Sequence, residues 1–239
     1  MQARTHLAYA ITRAVVKLAG DMARMGAEIP TEIGIKTTAY YARVLERNTR
    51  DLYNGAMAEA AFVDALLDLI DAQLTRAWNE GMRENGLDPK EDMIDEWAEV
   101  LEEKKLSELD YVDDFAAEIV QAAKDDKESG SNSLPGLLAR ADMWANRYTD
   151  IVNLAIVTTA GGKDRLVWQF GDTEHCNTCF ALNGIVAFAS EWLLAAVQPQ
   201  SPPNDALDCG GWHCQCTLST TDQRRTRGAF DRIMGALGN

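Results

Sequence analysis

Apolar residues recur every three to four positions through the first two thirds of the chain, with polar residues between them. This spacing predicts amphipathic α-helices, each with one face turned towards a shared core. The apolar positions fall into five groups: Leu7, Ile11 and Val15; Ile35, Tyr40, Val44 and Leu45; Phe62, Leu66, Ile70, Leu74 and Trp78; Met93, Trp97, Val100 and Leu101; and Leu109, Val112, Phe115 and Ile119. We therefore predict five helices, of which the last two are short and separate.

A polar, Gly/Ser-rich stretch from Lys127 to Ser133 is the clearest linker in the chain. It is followed by Pro135, whose fixed φ angle suits the first turn of a helix. A further helix is predicted from there to about Ala160, where Gly161 and Gly162 end it. We therefore divide the chain into an acidic helical region, residues 1–134, and a second region, residues 135–239.

After Gly162 the helical spacing gives way to short runs of β-branched and aromatic residues. These runs predict strands at 166–170, 185–188 and 216–219, with a short helix beginning near Ser190. A last helix is predicted from Thr221 or Asp222. The expected fold class is mainly α (α+β): a helical N-terminal region, then a small metal-stapled module with short antiparallel strands.

The acidity of the chain is concentrated in its helical part. The net charge is −14, and residues 88–128 alone contain 16 acidic and 5 basic side chains. This balance excludes a polycation that coats nucleic acid, although it leaves room for a local basic patch. Two interpretations of the acidic stretch stay open, a solvated helix face and a docking surface for a basic partner.

No apolar run approaches the roughly 20 residues of a membrane-spanning helix. The first 19 residues carry Arg4, Arg13 and Lys17 spread through the segment, unlike a signal peptide. We therefore expect a soluble protein in a reducing cytoplasm.

All five cysteines lie in the last third of the chain. A Cys-x2-Cys pair, Cys176 and Cys179, is followed after 29 residues by Cys209, Cys214 and Cys216. Such clustering in a chain without an export signal favours a metal site over disulfides. A thiol-rich set is typical of a closed, structural Zn²⁺ site, and four of the five thiols are expected to bind.

The spacing leaves open which four groups bind the metal. Cys214 and Cys216 are two residues apart, so even an extended strand would point both towards the same side. That favours these two as a pair and Cys209 as the thiol that is left out. His213 is a substitute for one thiol, and His175 is interpreted as a neighbour of the metal.

Catalytic interpretations of the cysteine cluster have less support. A zinc deaminase needs an upstream His-x-Glu, whereas His6 is followed by Leu7 and Ala8. A redox Cys-x2-Cys would leave the other three cysteines unexplained. Asp172 and Glu174, the carboxylates a DNA-acting hydrolase could use, have no obvious partners. We expect no enzyme, and keep a DNA-acting hydrolase or DNA-binding module as the alternative.

Four arginines stand out near the C-terminus of this acidic chain, and they are predicted to lie on the last helix. They are Arg224, Arg225, Arg227 and Arg232. They could complement nearby acidic groups and the C-terminus of the helix. Alternatively, they could contact DNA phosphates or an acidic partner protein. The sequence does not separate these two interpretations.

Two motifs stand in a distinctive order in residues 138–218: Trp168-x3-Asp172-x3-Cys176-x2-Cys179-x2-Leu182-Asn183-Gly184, then Cys209-Gly210-Gly211-Trp212-His213-Cys214-Gln215-Cys216. In this order they resemble the C-terminal module of the phage Mu F-like head morphogenesis (minor head protein) family. Asn183 and Gln215 replace the usual aspartate and arginine of that family, and no His-Pro precedes the final cysteine pair. The helical first part carries no motif of the family.

The resemblance implies a structural or assembly protein of a tailed-phage head, present in few copies near the portal vertex. Its expected partners are the portal, major capsid and scaffold proteins, with packaged DNA as a further candidate. It would assemble in the host cytoplasm and stay in the virion, with neither a membrane nor a small-molecule substrate involved. Zinc would then stabilise a module with too little core to fold alone.

Overall fold

Four long helices precede three short strands in this computed structural model. The structure describes residues 38–201, 204–211 and 215–238, and for Leu109 and Asp110 it describes the backbone only. The elements are α1 (Thr38–Tyr53), α2 (Glu59–Glu84), α3 (Asp95–Ser129), α4 (Leu134–Thr159), β1 (Arg165–Gln169), α5 (Asn177–Leu182), β2 (Val186–Phe188), α6 (Ala189–Leu194), β3 (Thr217–Thr220) and α7 (Ala229–Leu237). The helix predicted around Ile11 lies outside the described residues. The predicted fold class, mainly α with a small antiparallel sheet, is confirmed.

The three strands form one antiparallel sheet in the order β2-β1-β3. The central strand β1 pairs Val167 with Val186 on one side and Trp168 with Leu218 on the other. All four of these side chains are buried. The sheet therefore anchors the core of the second region, and the predicted strands are confirmed within one or two residues.

The region predicted as two short helices is the single helix α3, which is 35 residues long. No glycine or proline interrupts it, and Leu101, Val112, Phe115 and Ile119 are buried along one face. Residues spaced 11, 3 and 4 positions apart lie on the same side of a helix, so one helix buries both of the apolar groups that were predicted as separate helices. The prediction of two helices was wrong.

The predicted linker is shorter than its composition suggested. Helix α3 continues through Ser129 and ends at Gly130, whose φ of 75° is left-handed, as helix C-termini often require. Helix α4 begins at Leu134, with Pro135 in its first turn as predicted. Only residues 130–133 connect the two helices.

Buried apolar residues form two clusters, and α4 contributes to both. Ile151 and Ala155 belong to the larger cluster, which joins α1, α2, α3 and α4. Ile156 and Val157 belong to the smaller cluster, which contains the sheet and α5 to α7. One continuous helix therefore connects the bundle to the cysteine-containing module, and the domain boundary at residue 134 stays a prediction.

Side-chain amides connect α4 to the module on one side and to α2 on the other. The buried Asn153 accepts a hydrogen bond from the backbone N–H of Leu218 at 3.0 Å, at the second residue of β3. At the end of α4, Asn85 Nδ2 donates to Ile156 O and to Thr159 Oγ1, both at 2.8 Å. The first contact gives a carbonyl of the last turn of α4 a second donor beside Ala160 N, and both contacts hold the C-terminal end of α2 against the end of α4.

The last helix begins later than predicted. Helix α7 starts at Ala229, after Gly228 in a left-handed conformation with φ 64°. Thr226 explains the delay, since its N–H donates to Val186 O at 2.8 Å and its Oγ1 accepts from Val186 N at 3.0 Å. This pairing along the edge of β2 holds the preceding segment out of helical conformation. Only Arg232 of the four arginines lies on the helix.

No helix of the described residues combines the length and the apolar character that crossing a bilayer requires.

Candidate metal centre

Three thiols come together where α5 meets the loop before β3. The Sγ atoms of Cys176, Cys179 and Cys209 all lie within 4.8 Å of one another. Metal–sulfur bonds of about 2.3 Å in a tetrahedral site place sulfurs about 3.8 Å apart, so small rotations of the side chains would suit a metal. Among the described residues, this is the one group of three or more potential ligands that could hold a metal ion.

The Cys-x2-Cys pair forms the start of a helix. Cys176 is the N-cap residue of α5, and its Sγ accepts a hydrogen bond from the backbone N–H of Cys179 at 3.4 Å. The helical turn places the two side chains on the same side, because residues three apart are neighbours on a helix surface. The sequence did not reveal α5, which is only six residues long.

A pair of reciprocal hydrogen bonds brings Cys209 to this helix. Thr178 N donates to Asp208 Oδ2 at 3.3 Å, and Asp208 N donates to Thr178 Oγ1 at 3.2 Å. Thr178 lies between the two cysteines of the pair, and Asp208 immediately precedes Cys209. The loop is therefore docked on the first turn of α5 by groups other than the thiols.

The environment of Cys176 favours its thiolate form. Burial raises the pKa of this thiol, but hydrogen bonds from the backbone and side chain of Cys179 and of Cys209 outweigh it, and the net pKa is lowered. Since the thiolate is the form that binds metals, the site is electrostatically prepared for a cation. Cys179 is fully buried, while Cys176 and Cys209 are half-buried.

The structure differs from the prediction that Cys209 is the thiol left out. Cys209 joins the pair, whereas Cys216 is not a member of the three-thiol group. Cys216 is buried directly before β3, and its Sγ lies 3.6 Å from Nδ1 of His175. Cys214 and His213 lie outside the described residues, so the choice of a fourth ligand stays a prediction.

His175, which contacts Cys216, lies within an aromatic cluster that the sequence did not reveal. Its ring stacks on Phe170 with centroids 3.8 Å apart and planes within 9°. Phe180 contacts the same imidazole edge-on, with the centroids 5.9 Å apart. The sequence indicates this aromatic cluster only through the positions of its two phenylalanines, one directly after β1 and the other directly after Cys179.

The four arginines do not act as one group. Arg225 forms an ion pair with Glu191, and its guanidinium lies 5.3 Å from the centre of the Phe188 ring. Hydrogen bonding to Arg225 lowers the pKa of Glu191. Arg224, Arg227 and Arg232 are exposed and form no ion pair with another described residue. The first interpretation, pairing with a nearby acidic group, therefore holds for Arg225, and the two interpretations stay open for the other three arginines.

The carboxylates of the hydrolase alternative lie on the surface. Asp172 and Glu174 are both exposed. Neither belongs to a group of three or more potential metal ligands within the described part of the chain.

No protein-family model, curated protein or solved structure matches this chain. The resemblance to phage minor head proteins therefore rests on the order of its motifs alone.

Proposed function

We propose that this protein is a structural component in the assembly of a tailed-phage head, with a structural Zn²⁺ ion in its C-terminal module. The observation that carries the proposal is the group of Cys176, Cys179 and Cys209 at the junction of α5 with the loop before β3. A metal there would join two segments 30 residues apart and fix the fold of a small module. The order of the cysteine motifs adds support for the phage-head role.

Zinc is the metal that suits this donor set best. Three thiolates favour a soft or borderline cation, and structural zinc sites commonly have three or four sulfur ligands. Cys214, Cys216 or His213 would complete the tetrahedron. A fully occupied set leaves no position for a reactive water, so the ion would supply stability and no chemistry.

The long helices would supply the docking surfaces of such a component. Helix α3 extends for about 50 Å at 1.5 Å per residue, and it carries 13 acidic and 4 basic side chains. We propose that partners in the head, the portal, major capsid or scaffold protein, dock on faces of this kind. The protein would stay in the virion near the portal vertex.

The metal is tested by elemental analysis of protein purified without chelators. We expect about one zinc per chain in the unmodified protein and a clear loss of zinc on Cys176→Ser or Cys209→Ser. Met143→Ser is the matched control, because it removes an exposed sulfur outside the module. Absence of metal from the unmodified protein, or iron in place of zinc, would contradict this part of the proposal.

The role in assembly is tested by deleting the gene from the phage or prophage that carries it. We expect malformed heads or heads without DNA in electron micrographs, while tails form normally. Mass spectrometry of purified wild-type virions should then detect the protein in few copies. Infectious, DNA-filled heads formed in its absence would overturn the phage-head role, whether or not the metal is present.

A further inference from the structure

Two of the three thiols of the metal centre lie in one helical turn, close enough for a disulfide. Cys176 is the N-cap residue of α5, and Cys179 lies in its first turn. Residues three apart in such a turn have α-carbons about 5 Å apart, inside the range of about 4.4–6.8 Å that disulfides span. Their Sγ atoms are already within 4.8 Å of each other. Rotation of the two side chains can therefore join the sulfurs while the backbone stays in place.

The two thiols differ in exposure in the way that stepwise oxidation requires. Cys176 is half-buried, so a small oxidant can reach its sulfur, whereas Cys179 is fully buried. The backbone N–H of Cys179 donates to Sγ of Cys176 at 3.4 Å. This hydrogen bond supports the thiolate, which is the reactive form of cysteine. It also holds the accessible sulfur over the turn that carries the second thiol.

The third thiol belongs to a loop that has anchors of its own. Asp208, directly before Cys209, exchanges two hydrogen bonds with Thr178. Gly210 N donates to Leu207 O at 2.7 Å and closes a turn around Cys209. None of these hydrogen bonds involves sulfur. The loop is therefore held beside α5 even when the pair of thiols is oxidised, and the three-thiol group can form again after reduction.

We propose that Cys176 and Cys179 are a peroxide-sensitive pair, whose oxidation to a disulfide removes two ligands from the metal centre and releases the metal. The inference rests on the zinc site proposed above and adds a redox response to it. The metal accounts for Cys209, which a redox pair by itself would leave unexplained. Assembly in a reducing cytoplasm would keep the centre intact, whereas oxidising surroundings would open it.

The oxidant is hydrogen peroxide, and the reaction has two steps. The thiolate sulfur of Cys176 attacks one peroxide oxygen and becomes a sulfenic acid, while the O–O bond breaks and the departing hydroxide takes a proton from solvent to form water. The thiolate of Cys179 then attacks the sulfenic sulfur, the S–O bond breaks, and a second hydroxide becomes water in the same way. The two sulfurs together lose two electrons, which reduce one peroxide to two waters. A thiol reductant reverses the change by exchange with the disulfide.

Peptide masses test the pairing in the full chain. Protein purified with its metal is treated with hydrogen peroxide, the remaining thiols are blocked with N-ethylmaleimide, and the chain is cleaved after glutamate and arginine without reduction. Fragment 175–191 contains Cys176 and Cys179 alone, and fragment 192–224 contains Cys209, Cys214 and Cys216. We expect fragment 175–191 to carry no label and to be lighter by two hydrogens than its reduced form, with about one zinc released per disulfide. Dithiothreitol with added zinc should restore both the thiols and the metal.

Two serine variants separate the roles of the thiols. Cys209→Ser should lose the metal and still form the disulfide within fragment 175–191, because both sulfurs of the pair belong to one helical turn. Cys179→Ser should form no disulfide in that fragment, and Cys176 should be trapped by dimedone as a sulfenic acid. Both variants lack the metal, so they are matched in everything except the second thiol of the pair.

Each possible result decides the inference. A disulfide that links the two fragments, oxidation of Cys176 beyond the sulfenic acid without a disulfide, or zinc retained by the oxidised protein would overturn it. The masses from the wild type decide alone if Cys179→Ser does not fold. If the unmodified protein contains no zinc, the proposed metal centre fails, but the mass of fragment 175–191 still decides whether its two thiols form a pair. Failure of the disulfide in zinc-containing protein would leave the metal centre standing.

Discussion

The α-carbon of Gly171 lies against the backbone carbonyl of Gln215, so closely that a Cβ atom at residue 171 would be 2.1 Å from that oxygen. Gly171 follows β1 and Gln215 precedes Cys216, so the contact brings the two ends of the cysteine module together. The φ angle of Gly171 is not in the left-handed region. Space, and not backbone conformation, therefore requires glycine at this position.

Replacing this glycine should push the segment around Gln215 away from the end of β1. We expect Gly171→Ala to reduce the free energy of unfolding by about 2 kcal/mol or more, since the atoms that the new Cβ would meet, the carbonyl group and the Cβ of Gln215, cannot rotate away. Gly162→Ala is the control, because its Cβ would meet only Ser190 Cβ, at 3.9 Å. Equal urea midpoints for the two variants would contradict the argument.

A second glycine sets the distance between α2 and α4. A Cβ at Gly81 would lie 2.6 Å from Ala155 Cβ and 2.6 Å from Val152 O. Alanine favours helix by about 1 kcal/mol, but overpacking costs about 1–3 kcal/mol, so Gly81→Ala should destabilise the bundle. Gly136→Ala on α4 meets nothing within 4 Å and should leave stability unchanged or raise it. Thermal melts followed at a helical wavelength would compare the two variants.

Local patterns predicted the elements whose ends are marked in the sequence. Strand β1 is a run of mostly apolar residues shortly before Gly171, and α4 has Pro135 in its first turn, so both were predicted within two residues. The length of α3 was missed because two apolar stripes looked separate, although no residue between them can end a helix. A check of helical phase between Leu101 and Val112 would have joined them.

Contacts between distant residues account for what the sequence could not predict. The late start of α7 depends on Thr226 pairing with Val186, 40 residues earlier. Cys209 joins the thiol group because Asp208 bonds Thr178, 30 residues away. Spacing arguments for Cys214 and Cys216 consider only neighbouring residues, so they cannot include such contacts.

Low pH should weaken the connection between α3 and α4, in which Asp126 accepts hydrogen bonds from the connecting residues. Hydrogen bonds from Ser131 Oγ at 2.6 Å, from Ser133 N at 2.6 Å and from Tyr53 hold the pKa of this carboxyl well below its usual range. A lowered folded-state pKa stabilises the protein above the unfolded value, about 3.9, and this contribution is lost as the pH falls through the folded-state pKa. Asp126→Asn should therefore destabilise the protein at pH 7 and progressively less in acid, in denaturant titrations across that range. Asp125→Asn, on the exposed side, is the control; a constant difference at all pH values would contradict the prediction.

The contribution of Asp150 to stability should depend on pH with the opposite sign. Burial raises the pKa of this carboxyl to about 7, against the opposing charges of Arg147 and Lys104. A raised folded-state pKa gives stability that is fully present below about pH 3.9 and declines towards pH 7, by up to about 1.4 kcal/mol per pH unit. Asp150→Asn should flatten this decline in denaturant titrations between pH 4 and pH 8. Asp142→Asn, exposed on the same helix, should keep the wild-type slope; an unchanged slope in Asp150→Asn would refute the assignment.

Removing the proposed metal should unfold the module and spare the bundle. The cluster around Trp168 depends on the loop that carries Cys209, whereas the cluster around Trp78 is built from long helices alone. After chelation, hydrogen exchange measured by mass spectrometry should accelerate in β1 and α5 and stay slow in α2. Adding zinc back should restore protection, and Cys179→Ser should behave like the chelated wild type without responding to zinc. Uniform acceleration of exchange through α2 would mean that the bundle and the module unfold as one unit. If exchange accelerated nowhere, the metal would not contribute to the stability of the module.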